Sequence, residues 1–250
     1  MIFAELGLHQ SLVDRCISLG FTEPTSIQGQ AVPVIISGSD VIGYAATGTG
    51  KTAAFLLPIL NKLYAENRDG IRALILAPTR ELAGQIAGDL EKLDEKKRAR
   101  SVAIVGGANM RKQTNRLQRG ATVVIATPGR LLDHIEGGTI NLSCVEMLVL
   151  DEADRMLDMG FLPAIRQVIS RLPRKRQTML FSATMSPAIE KIAREYMRQP
   201  RVIEVSPRGK AAATVKQTAY LVATTSKIAL LLHLLEQESN SRTLIFTRTI

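Results

Sequence analysis

The sequence has no tryptophan, only two cysteines and 4% aromatic residues in 250 positions. So little aromatic surface leaves few platforms on which nucleic-acid bases could stack, which argues against base reading as a main activity. Cys16 and Cys144 lie far apart, lack metal-ligand spacing and sit in apolar patterns, so both read as reduced core residues. No apolar run approaches the roughly 18 residues that a membrane helix needs. The opening Met1-Ile2-Phe3-Ala4-Glu5 has neither the cationic start nor the apolar centre of a signal peptide, so a cytoplasmic protein without a membrane partner is expected. Low-complexity tracts and internal repeats are missing too. Acidic residues are in deficit, 23 against 32 basic ones for a net charge of +9. That excess favours polyanionic partners, because phosphate neutralisation and counterion release dominate nucleic-acid affinity.

What is present is a 46% hydrophobic content with interspersed charge, the mark of a globular chain with room for one large domain or two small ones. Short apolar runs recur at Val41-Ile42, Ala73-Leu74-Ile75-Leu76, Val102-Ala103-Ile104-Val105, Val123-Val124-Ile125, Met147-Leu148-Val149-Leu150 and Thr178-Met179-Leu180-Phe181. Each resembles a strand buried on both faces. Between them apolar residues take helical spacing, as in Leu8, Leu12, Cys16 and Leu19, or Leu82, Ile86, Leu90 and Leu93. The alternation predicts an α/β fold, a mostly parallel sheet with helices on both faces. In such sheets ligands bind beyond the carboxyl ends of the strands, and the polar signatures fall there. Residues 1–207 read as one domain. The small, basic stretch 208–215 reads as a linker, and residues 216–250 as a β-α-β unit with strand-like Ala219-Tyr220-Leu221-Val222 and Thr243-Leu244-Ile245-Phe246 around a helix over 228–235.

After the first run comes Ala45-Ala46-Thr47-Gly48-Thr49-Gly50-Lys51-Thr52, leading into the helical Ala53-Ala54-Phe55-Leu56-Leu57. This is a phosphate-binding loop in its strand-to-helix setting, with Ala45 in place of the usual first glycine. Glycines let backbone N–H groups approach phosphates, the helix N-terminus favours negative charge, Lys51 supplies a cation and the Thr52 hydroxyl can hold Mg²⁺. The fifth run ends in Asp151-Glu152-Ala153-Asp154, two adjacent carboxylates at the mouth of a buried strand. Asp151 suits Mg²⁺, directly or through water, and Glu152 suits orienting and deprotonating an attacking water.

With these elements in order, the chain resembles the DEAD-box ATP-dependent RNA helicase family, most closely its bacterial RhlE-like branch. The resemblance implies a RecA-like P-loop NTPase fold, with ATP and Mg²⁺ as cofactors and RNA as partner, gripped by its backbone. Gly20-Phe21-Thr22-Glu23-Pro24-Thr25-Ser26-Ile27-Gln28, with Phe3 upstream, is similar to the family's adenine-reading Q motif; a Gln28 amide can bond an adenine edge bidentately and Phe21 can stack on its face. Pro78-Thr79-Arg80-Glu81, Gly106-Gly107 and Thr127-Pro128-Gly129-Arg130 match the RNA-contacting motifs. Ser182-Ala183-Thr184, together with Asp154, matches the elements that couple hydrolysis to strand separation. Ala46 stands where most members carry Gln, which leaves the glycines, Lys51 and Thr52 in place. The basic groups Arg111-Lys112, Arg116, Arg119 and Arg174-Lys175-Arg176 read as solvated faces able to extend the grip. A second RecA-like domain with arginine fingers is implied, of which the sequence reaches only Leu244-Ile245-Phe246-Thr247-Arg248-Thr249. Two functions follow as expectations: an ATP-dependent RNA helicase, with Lys51, Asp151 and Glu152 catalytic, or a non-catalytic module that binds ATP and RNA because closure is impossible. A P-loop ATPase acting on proteins or DNA is a weaker third.

Overall fold

The computed structural model describes residues 1–46, 48–66, 68–205, 218–237 and 242–247. They fall into two compact units, Met1–Arg208 and Gly209–Ile250. The first opens with helices α1 (Gln10–Ser18) and α2 (Ser26–Ile36) and then alternates: β1 (Val41–Tyr44), α3 (Lys51–Ala65), β2 (Ala73–Leu76), α4 (Arg80–Leu93), β3 (Ser101–Ile104), α5 (Met110–Gln118), β4 (Val123–Ala126), α6 (Pro128–Glu136) and β5 (Met147–Leu150). It closes with α7 (Ala153–Asp158), α8 (Leu162–Ser170), β6 (Gln177–Ser182), α9 (Pro187–Tyr196) and β7 (Arg201–Glu204). No helix among the described residues is long and apolar enough to cross a membrane.

The strands form one seven-stranded sheet in the order β3-β4-β2-β5-β6-β1-β7, with every pairing parallel. Burial explains why the central strands carry unbroken apolar runs. Val41, Ile75, Val149 and Phe181 point into one core with α1 to α4; Ile42, Leu74, Leu148 and Leu180 point into the other with α6 to α9. Gly43 lies opposite Phe181, where an added Cβ would sit 2.7 Å from the ring, so β1 needs a residue without a side chain there. From β1 the chain crosses through α3 on one face to β2, and from β6 it passes through α9 on the other face to β7. The carboxyl ends of β1 and β6 therefore flank the reversal at which such sheets bind ligands.

Three features depart from the sequence reading. Strand β7 gave no apolar run, because only Ile203 of its four residues is buried at this sheet edge. Cys144 is exposed in the turn ahead of β5, against the core position expected, whereas Cys16 is buried. In the second unit α10 (Lys227–Gln237) fits the expected helix, but the described residues 218–223 and 242–247 carry no strand. A strand needs a hydrogen-bonded neighbour, and every strand pairing among the described residues lies in the first unit's sheet. The linker 208–215 and the residues Arg248 and Thr249 lie outside the described residues.

Candidate functional site

The loop after β1 turns through Gly48 (φ 80°) and Gly50 (φ 91°) before α3 begins at Lys51. Left-handed backbone is cheap for glycine and aims successive N–H groups into the cleft. The buried Lys51 donates from Nζ to the Ala45 carbonyl at 2.9 Å, which folds its side chain back across the loop. Ala45 is fully buried and continues β1, its N–H donating to the Ser182 carbonyl at 3.1 Å. Thr49 donates to the Ala46 carbonyl at 2.8 Å and so closes the turn from within. Thr47 lies outside the described residues.

A cleft of about 670 Å³ opens over this loop, lined by Lys51, Thr52, Gly48 and Gly50 on one side and by Asp151 and Glu152 on another, with Gln28 and Phe21 at its end. Gln28 is 6% exposed and bonded at both ends of its amide. Its Oε1 accepts from the Thr25 N–H at 3.0 Å, closing the capping box of α2, and its Nε2 donates to the Gly50 carbonyl at 3.1 Å. One lone pair and one N–H of the amide remain for a ligand. Phe21 is 41% exposed and stacks on the buried Phe3 at 6.5 Å between centroids. Polar residues of α4, namely Gln85, Asp89 and Lys92, also line the cleft; sequence reasoning missed them because a solvated helix face has the same pattern.

Gly50 is fixed twice, by its positive φ and by its neighbours: an added Cβ would lie 2.5 Å from Gln28 Nε2 and 2.9 Å from Thr25 Oγ1. Gly50→Ala is expected to weaken nucleotide binding by about tenfold or more and to cost about 1–3 kcal/mol of stability. Fluorescent-nucleotide titration and thermal unfolding measure both, and an unchanged affinity would show that the loop adapts freely.

Asp151 directly follows β5 at 2% exposure, and burial pushes its pKa up to about 6 against the opposing pull of Lys51. A buried carboxylate facing one lysine beside the Thr52 hydroxyl suits a hard divalent cation, so these residues fit Mg²⁺. Glu152 sits in the left-handed region at φ 48°, ψ 51°, an uncommon conformation for a residue with a side chain. Its Oε2 meets Arg155 Nη1 at 3.2 Å, a partner that no motif had suggested. Asp154 reaches sideways to the loop after β6: its Oδ2 accepts from the Ala183 N–H (3.1 Å), the Thr184 N–H (3.0 Å) and the Thr184 hydroxyl (3.1 Å). Ser182 in turn donates to the Thr184 carbonyl at 2.8 Å.

The remaining motifs gather at the ends of β2, β3 and β4, on the other half of the same rim. Thr79 caps α4 through Leu82 N–H, and Arg80 is exposed beside Gly107, whose added Cβ would lie 3.4 Å from Arg80 Nη1. Arg80 is paired with Glu81 at 2.6 Å. Arg130 donates to the Ala108 carbonyl at 2.8 Å and pairs with Asp133 at 3.1 Å, which ties the β4 loop to the β3 loop. Gly106 and Gly129 are exposed, whereas Pro78 and Pro128 are buried.

Residues 25–192 match the family model described as DEAD/DEAH box helicase. The chain is 41% identical over 247 residues to a DEAD-box ATP-dependent RNA helicase CshA of Geobacillus kaustophilus, covering 99% of this chain and 53% of that protein. It is 40% identical over 247 residues to the DEAD-box ATP-dependent RNA helicase RhpA of Helicobacter pylori, covering 99% and 50%. The crystal structure of a DEAD box protein from the hyperthermophile Methanococcus jannaschii aligns with a TM-score of 0.79 at 36% identity, over 94% of this chain and 63% of that one. The chain thus spans about half the length of the curated relatives it matches.

Proposed function

This chain belongs to the DEAD/DEAH box helicase family, and on that premise we propose that it is the ATP-binding, RNA-gripping part of an ATP-dependent RNA helicase of the RhlE-like branch, acting in the cytoplasm. The observation that carries the reading is one cleft at the carboxyl ends of β1 and β5 that gathers Lys51, Thr52, Asp151, Glu152, Gln28 and Phe21. A phosphate cation, an acid pair and an amide beside an aromatic face are what a purine nucleoside triphosphate requires at its two ends. The relatives named above are helicases, which favours the enzyme over a non-catalytic module.

Residues 1–207 are the nucleotide domain, 208–215 the linker and 216–250 the start of a second RecA-like domain. Lys51 leaves the Ala45 carbonyl for the phosphates, and Thr52 with Asp151 would hold Mg²⁺, which would supply charge neutralisation there. Gln28 and Phe21 take the base. Glu152 orients the attacking water and accepts its proton, while Arg155 steadies the carboxylate from outside. Thr79, Arg80, Glu81, Gly106, Gly107, Thr127, Gly129 and Arg130 present backbone amides, hydroxyls and cations to RNA phosphates, with Pro78 and Pro128 shaping the turns. Asp154 links the acid pair to Ser182, Ala183 and Thr184, and through them hydrolysis is coupled to strand separation.

Lys51→Ala tests the cleft assignment. Loss of the charge-assisted contacts is expected to weaken Mg-ATP binding about ten- to a hundredfold in a fluorescence titration. Unaltered affinity would count against the loop as the phosphate site.

A further inference from the structure

The sheet's opposite rim carries a second cleft. It measures about 1040 Å³ and is bordered by the residues that precede β5, β6, β1 and β7, so it lies at the amino ends of the strands, away from the nucleotide site. Lys175 and Arg176 enter it from the turn before β6, Arg198 and Arg201 from the turn into β7, and Lys62 and Arg68 from the end of α3 and the loop beyond.

The carboxylates of this cleft are already committed. Glu66 and Glu146 face the buried Arg72 at 2.8 and 2.6 Å, and Glu146 also takes Lys62 at 3.0 Å and Arg68 at 3.6 Å. Asp40 is buried and spent on backbone: its two oxygens accept from Thr178 N–H at 2.8 Å and Arg198 N–H at 2.7 Å, and its carbonyl accepts from Arg201 N–H at 2.8 Å. Asp40 thereby clamps the turns that carry the other cations, and Gln177 adds bonds to the Ile35 and Ser39 carbonyls at 2.8 and 2.6 Å. Among the described residues, Lys175, Arg176, Arg198 and Arg201 form no ion pair. Arg176 and Arg198 bond instead to the carbonyls of Pro173 and Arg174, at 2.9 and 2.8 Å. Burial, with the nearby Arg198 charge, presses the Arg176 pKa down against the pull of Asp40. The turns therefore hold four cations, none in an ion pair, around the single carboxylate of Asp40, an excess of positive charge that an anion relieves.

The lining also says which anion. Among the described residues of the lining, Pro200 has the only apolar side chain and none is aromatic. A protein partner would ask for apolar or aromatic anchors, and base reading would ask for stacking surfaces. Phosphates in a row ask only for spaced cations. We propose that this rim is a second RNA site, which holds the phosphate backbone of RNA flanking the segment gripped at the carboxyl rim, without reading bases; it rests on the RNA-helicase reading above.

The test is charge reversal in the full-length protein, Lys175→Glu with Arg198→Glu and Arg201→Glu, read by fluorescence anisotropy on a labelled duplex RNA with a single-stranded extension. Affinity at low salt is expected to fall tenfold or more, and the slope of log affinity against log salt to flatten by about 2, since each lost single-strand phosphate contact removes roughly 0.7. Mg-ATP binding should stay at the wild-type value. If the triple variant does not fold, Lys175→Glu alone, an exposed position without a hydrogen bond, carries the test with a slope change of about 0.7. An unchanged slope, with the rim merely solvated, overturns the proposal. So does a polyglutamate peptide that displaces RNA as well as RNA of equal charge does, which would assign the rim to an acidic protein segment. A wild-type protein that binds neither ATP nor RNA fails the helicase reading itself, whereas loss of this rim alone leaves nucleotide binding intact.

Discussion

Glu152→Gln in the full-length protein is expected to lower RNA-stimulated ATP turnover by about a thousandfold, within the range that a positioned general base contributes. Nucleotide affinity should scarcely move. Glutamine keeps the side-chain shape and one oxygen for Arg155 Nη1, now at 3.2 Å from Oε2, so the local backbone at φ 48° has no new reason to relax. What disappears is the capacity to accept a proton from the attacking water. Phosphate release and equilibrium nucleotide binding, measured on the same preparation, separate the two roles. Turnover that survives the substitution would remove Glu152 from the chemistry and leave it a turn residue.

Asp151→Asn should act in two opposite directions. Burial holds the Asp151 carboxyl at a pKa of about 6, against an ordinary value of 3.8. Between those two values the folded chain binds more protons at this position than the unfolded chain does, so stability falls as pH rises through that window and the cost is complete above it. A shift of this size is worth about 3 kcal/mol. In the metal-free protein at pH near 8, the neutral Asn is therefore expected to raise unfolding stability by about 2–3 kcal/mol and to flatten its dependence on pH between about 4 and 6. The same substitution removes the charge that faces the proposed Mg²⁺, so Mg-dependent nucleotide affinity collapses while metal-free stability improves. Chemical denaturation across pH reports the first effect and nucleotide titration with and without Mg²⁺ the second. A destabilised Asn variant would mean that the carboxylate is held by attraction to Lys51 more strongly than burial opposes it.

The central strands were legible because each is buried on both faces and so is written mostly in apolar residues. Strand β7 was not: a sheet edge tolerates Arg201 and Glu204, and pairing to β1 is a backbone matter that leaves no apolar mark. The glycine-rich loop after β1 and the acid pair after β5 were legible because the chemistry proposed for them demands particular residue types directly after a strand. Contacts that depend on where the fold returns the chain were hidden. The tie from Gln28 to Gly50 spans 22 positions and the one from Asp154 to Thr184 spans 30, distances across which spacing carries no signal. Asp40 illustrates the same limit, since a lone acidic residue before a strand looks like a turn until Thr178 and Arg198 are found bonded to it. Cys144 failed for the opposite reason, because its apolar neighbours belong to the next strand and not to its own environment.

Three donors on a single oxygen make a joint with no slack. Because Asp154 Oδ2 holds both amides and the hydroxyl of the neighbouring loop, a shift of the first turn of α7 drags Ala183 and Thr184 along or forfeits all three contacts together. A displacement that starts in the turn after β5 is thus already a displacement of the loop after β6, with no intermediary between them.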